Sequence, residues 1–171
     1  MSDTRQEAAR DAGILARVRR LGLLALVLAL AAAGCGSSSS RLSKDDYEQH
    51  LQQVVPPLAR SLLKSQLALE GIRARGPAQS ELVSLRRSVD GARARLAPLD
   101  PPAGEQATHT QLVRGLRRLD RDLAALTPLI ARNKLGFLQR RAAQFGSWPS
   151  VLAVRGAFRR LIDDGYDIGV S

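Results

Sequence analysis

The amino-acid sequence predicts an all-α protein: an antiparallel helical bundle of three long and two shorter helices that follows a cleaved signal peptide. Apolar residues recur at steps of three and four over most of the chain after residue 42, which is the spacing of one helix face. No stretch alternates apolar and polar residues with the period of two that a half-buried strand needs. Short connections between the helical segments make neighbouring helices antiparallel.

The chain begins with a segment typical of an export signal. Arg17, Arg19 and Arg20 stand before thirteen uncharged, almost wholly apolar residues, Leu21 to Ala33. A basic flank, a short apolar core and a small-residue end are the parts of a secretory signal peptide. This core is shorter than the roughly 20 residues that a membrane-spanning helix needs. The pair Arg19-Arg20 leaves the twin-arginine route open beside the general secretory one.

The apolar core ends in the motif Ala32-Ala33-Gly34-Cys35. Small residues directly before a cysteine resemble the lipobox of bacterial lipoproteins. The resemblance implies that a diacylglycerol, carrying acyl chains such as palmitate, is attached to the sulfur of Cys35. It also implies that a type II signal peptidase cuts between Gly34 and Cys35. Cys35 would then anchor the mature protein in the cell membrane, at its extracytoplasmic face.

Three parts are expected along the chain: a signal peptide over 1–34, the lipidated cysteine with a flexible Ser-rich linker over 35–42, and the helical bundle domain over 43–171. The linker from Cys35 to Arg41 reaches at most about 20 Å, so the domain stays close to the membrane. From Cys35 onward the chain carries 21 basic and 13 acidic side chains, a net charge of +8. Export makes nucleic acid an unexpected partner, whereas anionic lipid, an anionic envelope polymer or an envelope protein suits such a surface.

The first helix has a clear start. Ser43 is the expected N-cap, and Asp46 completes a variant of the capping box. The apolar stripe that runs from Tyr47 to Ile72 keeps its phase across Pro56-Pro57, which predicts one kinked helix instead of two. Gly76-Pro77 is predicted to end it.

The remaining helices follow the same periodicity. A second helix is predicted from about Ser80 to Ala97, and a third on the stripe from His109 to Ile130, with Pro128 kinking or ending it. A short helix is predicted from Lys134 to Phe145, and a turn from Gly146 to Ser150. The last helix carries the apolar residues from Val151 to Leu161 and has Gly165 as its C-cap. Tyr166 and Ile168 are expected to pack back on the bundle.

The two histidines are the candidate ligand residues. Asp46 lies four residues before His50, and Glu105 lies four before His109, so each acid shares a helix face with one imidazole. If the two faces converged, these four side chains would form a weak candidate site for a ligand or a metal. The Glu-x-x-His pairs of di-iron bundles are missing, and no metal or cofactor is predicted. His109 is expected at the bundle end, hydrogen-bonded to a loop or to Glu105.

No catalytic motif supports an enzyme. The match of Ser61-Leu62-Leu63-Lys64 to S-x-x-K lacks the companion elements of penicillin-binding enzymes. Basic residues lie on the second helix (Arg86, Arg87, Arg93 and Arg95). The predicted basic surface lies on the third helix (Arg114, Arg117, Arg118 and Arg121) and on the last one (Arg155, Arg159 and Arg160). They are either a solvated face or a surface for anionic lipid or polymer.

The sequence therefore predicts a membrane-tethered, non-catalytic interaction or scaffold lipoprotein of the bacterial cell envelope. The alternative is a lipoprotein that binds a ligand: an anionic polymer, a small molecule or, less readily, a metal. A solvent-open cavity lined by His109 and Tyr47 would favour the alternative, and a packed bundle would favour the scaffold.

Overall fold

A computed structural model describes residues 41–169. These residues form six α-helices and two 3-10 turns, Ala103–Glu105 and Phe145–Ser147, without a strand. The helices are α1 Lys44–Glu70, α2 Arg75–Leu96, α3 Gln106–Ala124, α4 Thr127–Ala131, α5 Leu135–Ala143 and α6 Pro149–Asp163. The all-α class is thus confirmed. The expected signal peptide, Cys35 and the linker up to residue 40 lie outside the described residues, as do residues 170 and 171.

Helix α1 begins at the predicted cap. The backbone N–H of Asp46 donates to Ser43 Oγ at 3.1 Å, and the Ser43 hydroxyl donates to Asp46 Oδ2 at 2.6 Å. Pro56 and Pro57 lie inside one unbroken helix, as predicted. The helix ends earlier than expected, because Gly71 caps it after Glu70.

Two other helix boundaries differ from the prediction for a shared reason. Helix α2 begins at Arg75, so Gly76 and Pro77 stand in its first turn and do not end α1. Helix α3 ends at Ala124, and Pro128 stands in the first turn of the separate helix α4. Proline has no backbone N–H, and in the first turn of a helix the N–H groups have no partner within the helix, so proline loses no hydrogen bond there. These prolines therefore begin helices instead of ending them.

Helix α3 supplies the centre of the core. Leu112, Leu116, Leu119 and Leu123 are fully buried on one of its faces. It packs against α2 and α6, while α1 packs against α2 and α5. After α6 the chain folds back, and both Tyr166 and Ile168 are buried, as predicted. Within residues 41–169, no helix has the length and apolar content that crossing a bilayer would require.

The helices bring separate parts of the chain together at each end of the domain. At the proximal end, formed by residues 41–50, 98–109 and 163–169, the Leu42 N–H donates to the Asp100 carbonyl at 2.8 Å. There, Lys44 Nζ also donates to the Asp164 carbonyl at 3.2 Å. At the distal end, formed by residues 68–80 and 120–148, Gln139 Nε2 donates to the Ile72 carbonyl at 2.7 Å.

Candidate functional site: a buried polar cluster and a basic surface

His109 lies in a buried polar cluster at the proximal end, and its partner is Tyr47. Tyr47 Oη is 3.0 Å from His109 Nδ1, and the imidazole tautomer decides which of them donates. The two rings meet edge to face, with centroids 5.7 Å apart. The sequence places both residues on core-facing stripes, but it does not predict the bond between His109 and Tyr47. The position of α1 beside α3 puts the phenol there.

Tyr166 and Lys44 complete the cluster. The Tyr166 ring stands almost perpendicular to the Tyr47 ring, with centroids 5.7 Å apart. Lys44 Nζ lies 4.8 Å from the centroid of the Tyr166 ring, in a cation–π contact. Neither side chain is singled out by a motif. The back-packing of Tyr166 was the one available signal, and it indicated burial without naming a partner.

Burial sets the protonation of the cluster. It raises the pKa of the Tyr47 phenol, with a smaller contribution from the charge of Glu105, and it lowers the pKa of His109 against the opposing charge of Asp100. Burial also raises the pKa of Glu105, and the nearby Asp164 adds to the effect while Lys44 opposes it. At neutral pH the Tyr47–His109 pair is therefore a hydrogen bond between uncharged groups.

The Tyr47–His109 pair is closed to solvent. Tyr47 is 0% exposed and His109 is 5% exposed. Neither lines any of the five surface hollows described for the domain. A general acid or base needs a substrate within hydrogen-bond reach, and this pair faces the core. The geometry fits a structural role at the bundle end.

The four candidate metal ligands do not converge. His50 and Asp46 are exposed on α1, whereas Glu105 and His109 are buried. In the part of the chain that the structure describes, no three His, Cys, Asp or Glu side chains are grouped so as to hold a metal ion.

Charge is divided unequally along the domain. Eight of the 13 acidic side chains lie at the proximal end, where Arg41 and Lys44 are the basic residues. The rest of the domain carries 19 basic and five acidic side chains. Residues 123–162 contain seven basic side chains and no carboxylate at all. The net charge of +8 therefore hides an acidic end and a strongly basic remainder.

The predicted basic residues are exposed on α3 and α6. Within residues 41–169 the ion pairs are Arg86–Asp120 at 2.9 Å and Arg93–Asp90 at 2.7 Å, and neither uses a residue of the predicted basic surface. Arg160 is the member of that surface with a side-chain partner across helices, since its Nη1 donates to Gln111 Oε1 at 2.5 Å. Helices α3 and α6 pack together, so the two groups of exposed arginines lie on neighbouring helices. The exposed members of the predicted basic surface are Arg114, Arg117, Arg118, Arg121, Arg155, Arg159 and Arg160.

Comparison with protein-family models, with curated proteins and with solved structures finds no match to this chain.

Proposed function

We propose that this protein is a membrane-tethered, non-catalytic interaction module, a lipoprotein of the bacterial cell envelope. In this proposal the segment 1–34 directs export, and Cys35 carries the lipid that holds the domain at the extracytoplasmic face of the membrane. The observation that carries it is the motif Ala32-Ala33-Gly34-Cys35, directly after a short apolar core and shortly before a folded helical domain that begins at Ser43.

The closed interior of the domain supports a role without catalysis. The one buried histidine is engaged with Tyr47 and turned away from solvent. The absence of a three-ligand group among the described residues likewise gives the metal-binding alternative no support. What the domain offers to other molecules is its outer surface, which is rich in unpaired arginine.

Replacing the cysteine tests the anchor. We expect the full-length protein to sediment with membranes and to incorporate a labelled fatty acid, because the two acyl chains of a thioether-linked diacylglycerol hold a protein stably in a bilayer. The variant Cys35→Ser lacks the sulfur that accepts the lipid, so it should incorporate no label and leave the membrane fraction. Ser38→Ala, three residues further along the linker, is the matched control and should behave as the parent does.

Two outcomes would contradict the proposal. Firm membrane attachment of the Cys35→Ser protein would mean that the apolar segment Leu21 to Ala33 is itself retained as the anchor. A parent protein that takes up no fatty acid would remove the lipoprotein assignment altogether.

A further inference from the structure

The distal end contains a hollow with a concentrated positive charge. Helices α4 and α5 meet at the turn Arg132-Asn133-Lys134, where Asn133 adopts a positive φ of 54°. The turn borders a solvent-open hollow of about 630 Å³, which we call the distal hollow. Arg132, Lys134 and Arg140 stand in its wall, and none of its lining residues is acidic.

An exposed aromatic ring accompanies these cations. Phe137 lines the same hollow and is 47% exposed, which is unusual for so large an apolar side chain. The guanidinium carbon of Arg140 lies 5.6 Å from the centroid of this ring, which holds the cation beside it. An apolar ring next to several cations suits a repeating unit that has an anionic group and a carbon backbone.

The positive charge here is not part of either ion pair found within residues 41–169. The distal hollow lies in the acid-free segment 123–162. Helix α5 also begins without a side-chain N-cap, so its first N–H groups add to the positive potential. Protein surfaces ordinarily intersperse both signs of charge, because like charges repel. The arrangement therefore favours an anionic partner from outside the chain.

We propose that the distal hollow binds a linear anionic polymer of the cell envelope, such as a phosphodiester chain. The inference rests on the proposed function for the extracytoplasmic location, which separates the domain from nucleic acid. A polymer suits the site because a thin chain can enter a concave, solvent-open hollow and place successive anionic groups beside its three cations.

The anchoring membrane is the weaker candidate for this surface. The linker joins the domain at the acidic proximal end, next to Arg41. Helix α1 has 27 residues and so spans about 40 Å, which is several times the Debye length of about 8 Å at physiological salt. The short linker keeps the acidic end next to the membrane, and the headgroup potential falls off within about one Debye length, so it acts little on a hollow at the far end of α1.

Binding to a synthetic poly(glycerol phosphate) tests the proposal. The lipidated protein is purified in a neutral detergent, and its affinity is measured between 50 and 300 mM salt, concentrations chosen to span the range in which polyanion binding weakens. The triple variant Arg132→Gln, Lys134→Gln and Arg140→Gln should bind roughly 100-fold more weakly at low salt and show a shallower salt dependence. The control Arg60→Gln, Arg87→Gln and Arg95→Gln removes the same charge from α1 and α2 and should lose less than about 5-fold.

A second variant distinguishes the shaped hollow from charge alone. Phe137→Ala removes the exposed ring and no charge, so the loss of its apolar contact with the glycerol carbons should weaken binding by about 5-fold without changing the salt dependence. An unchanged affinity would reduce the site to a diffuse electrostatic surface and would overturn the assignment to this hollow.

The remaining outcomes also decide the proposal. No binding of the polymer, or equal losses in the two triple variants, would overturn it. Binding of phosphatidylglycerol vesicles through the distal residues, with no binding of the polymer, would assign the hollow to lipid and overturn it as well. The Cys35→Ser protein should bind the polymer as the parent does, so a failed anchor and a failed polymer site give different results.

Discussion

Glu105 is a buried carboxylate with an incomplete set of partners. Its side chain belongs to a residue that is 8% exposed, and its Oε2 atom has no hydrogen-bond partner within the described part of the chain. Burial of an unpaired charge is costly because the group loses its hydration. Lys44 offsets part of that cost, as its opposing effect on the pKa of Glu105 indicates. Glu105, whose charge acts on Tyr47 and Tyr166 of the polar cluster, therefore destabilises the domain when it is ionised.

Neutralising this carboxylate should stabilise the domain. The pKa of Glu105 is raised above its ordinary value of 4.5, so the folded protein holds the proton more tightly than the unfolded chain does. Its contribution to stability is present below pH 4.5 and is lost as the pH rises through the folded-state pKa. The glutamine of Glu105→Gln cannot ionise, so the variant does not lose this stability as the pH rises. We expect a gain of about 1 kcal/mol in the free energy of unfolding at pH 7. Urea unfolding from pH 4.5 to pH 8 measures it.

The pH dependence provides the control. The gain from Glu105→Gln should shrink toward zero as the pH falls to 4.5, whereas Asp163→Asn, an exposed change at the same end, should give no gain of that size. The pKa of His109 is lowered from 6.5, so parent and variant should both lose stability as the pH falls below that value. A Glu105→Gln protein that is less stable than the parent at pH 7 would show that the ionised carboxylate has a partner worth more than its desolvation.

The burial of the cluster residues was predictable, and their pairing was not. His109 falls in phase with the leucines of α3 and Tyr47 with the apolar stripe of α1, so each was expected to face the core. Periodicity fixes the face of one helix, but the register between two helices decides which side chains meet. Only the packed structure shows that the phenol of Tyr47 reaches His109 Nδ1.

The close contact between α3 and α6 depends on one glycine. A Cβ added at Gly115 would lie 2.9 Å from Val154 Cγ2 and 3.4 Å from the Val154 backbone nitrogen. Val154 is buried and β-branched, so its side chain has few alternative rotamers. The leucine pattern of α3 gave no sign of this contact, because glycine at 115 also reads as a neutral interruption of a helix.

Filling this position should separate the two helices. Gly115→Val forces α6 away from α3, and overpacking of this kind costs about 2 kcal/mol. Gly156→Val is the matched control on α6, since a Cβ at Gly156 has no atom within 4 Å. Thermal and urea unfolding of both variants measure the difference, and the control should change stability by less than about 0.5 kcal/mol. Equal stability of the two variants would mean that the contact relaxes without cost.

The division of charge is a property of the whole molecule. The sequence shows the total of +8 and the acid-free segment 123–162. It does not show that 41–50, 98–109 and 163–169 meet, because these segments are far apart along the chain. Their contacts, such as Lys44 Nζ with the Asp164 carbonyl, collect eight carboxylates at one end. The composition predicts a basic protein, and the fold separates its charge into an acidic end and a basic remainder.

Unneutralised repulsion at the distal end should be measurable as a loss of stability at low salt. Lys134→Glu places a carboxylate at the N-cap of α5, near the guanidinium groups of Arg132 and Arg140. It removes one repelling charge and favours the helix dipole, so we expect a gain of about 1 kcal/mol in 10 mM salt, a concentration at which the Debye length is about 30 Å. The gain should largely disappear near 1 M salt, where that length is about 3 Å.

Lys134→Gln removes the cation without adding an acid, and it should give about half of the gain from Lys134→Glu at low salt. Equal stability of parent and Lys134→Glu at low salt would show that the distal cations do not repel one another appreciably. In the polymer assay Lys134→Glu should act in the opposite direction and weaken binding, because the added carboxylate repels phosphodiester groups. A residue that costs stability and supports binding is one retained for function, since the fold alone would favour its replacement.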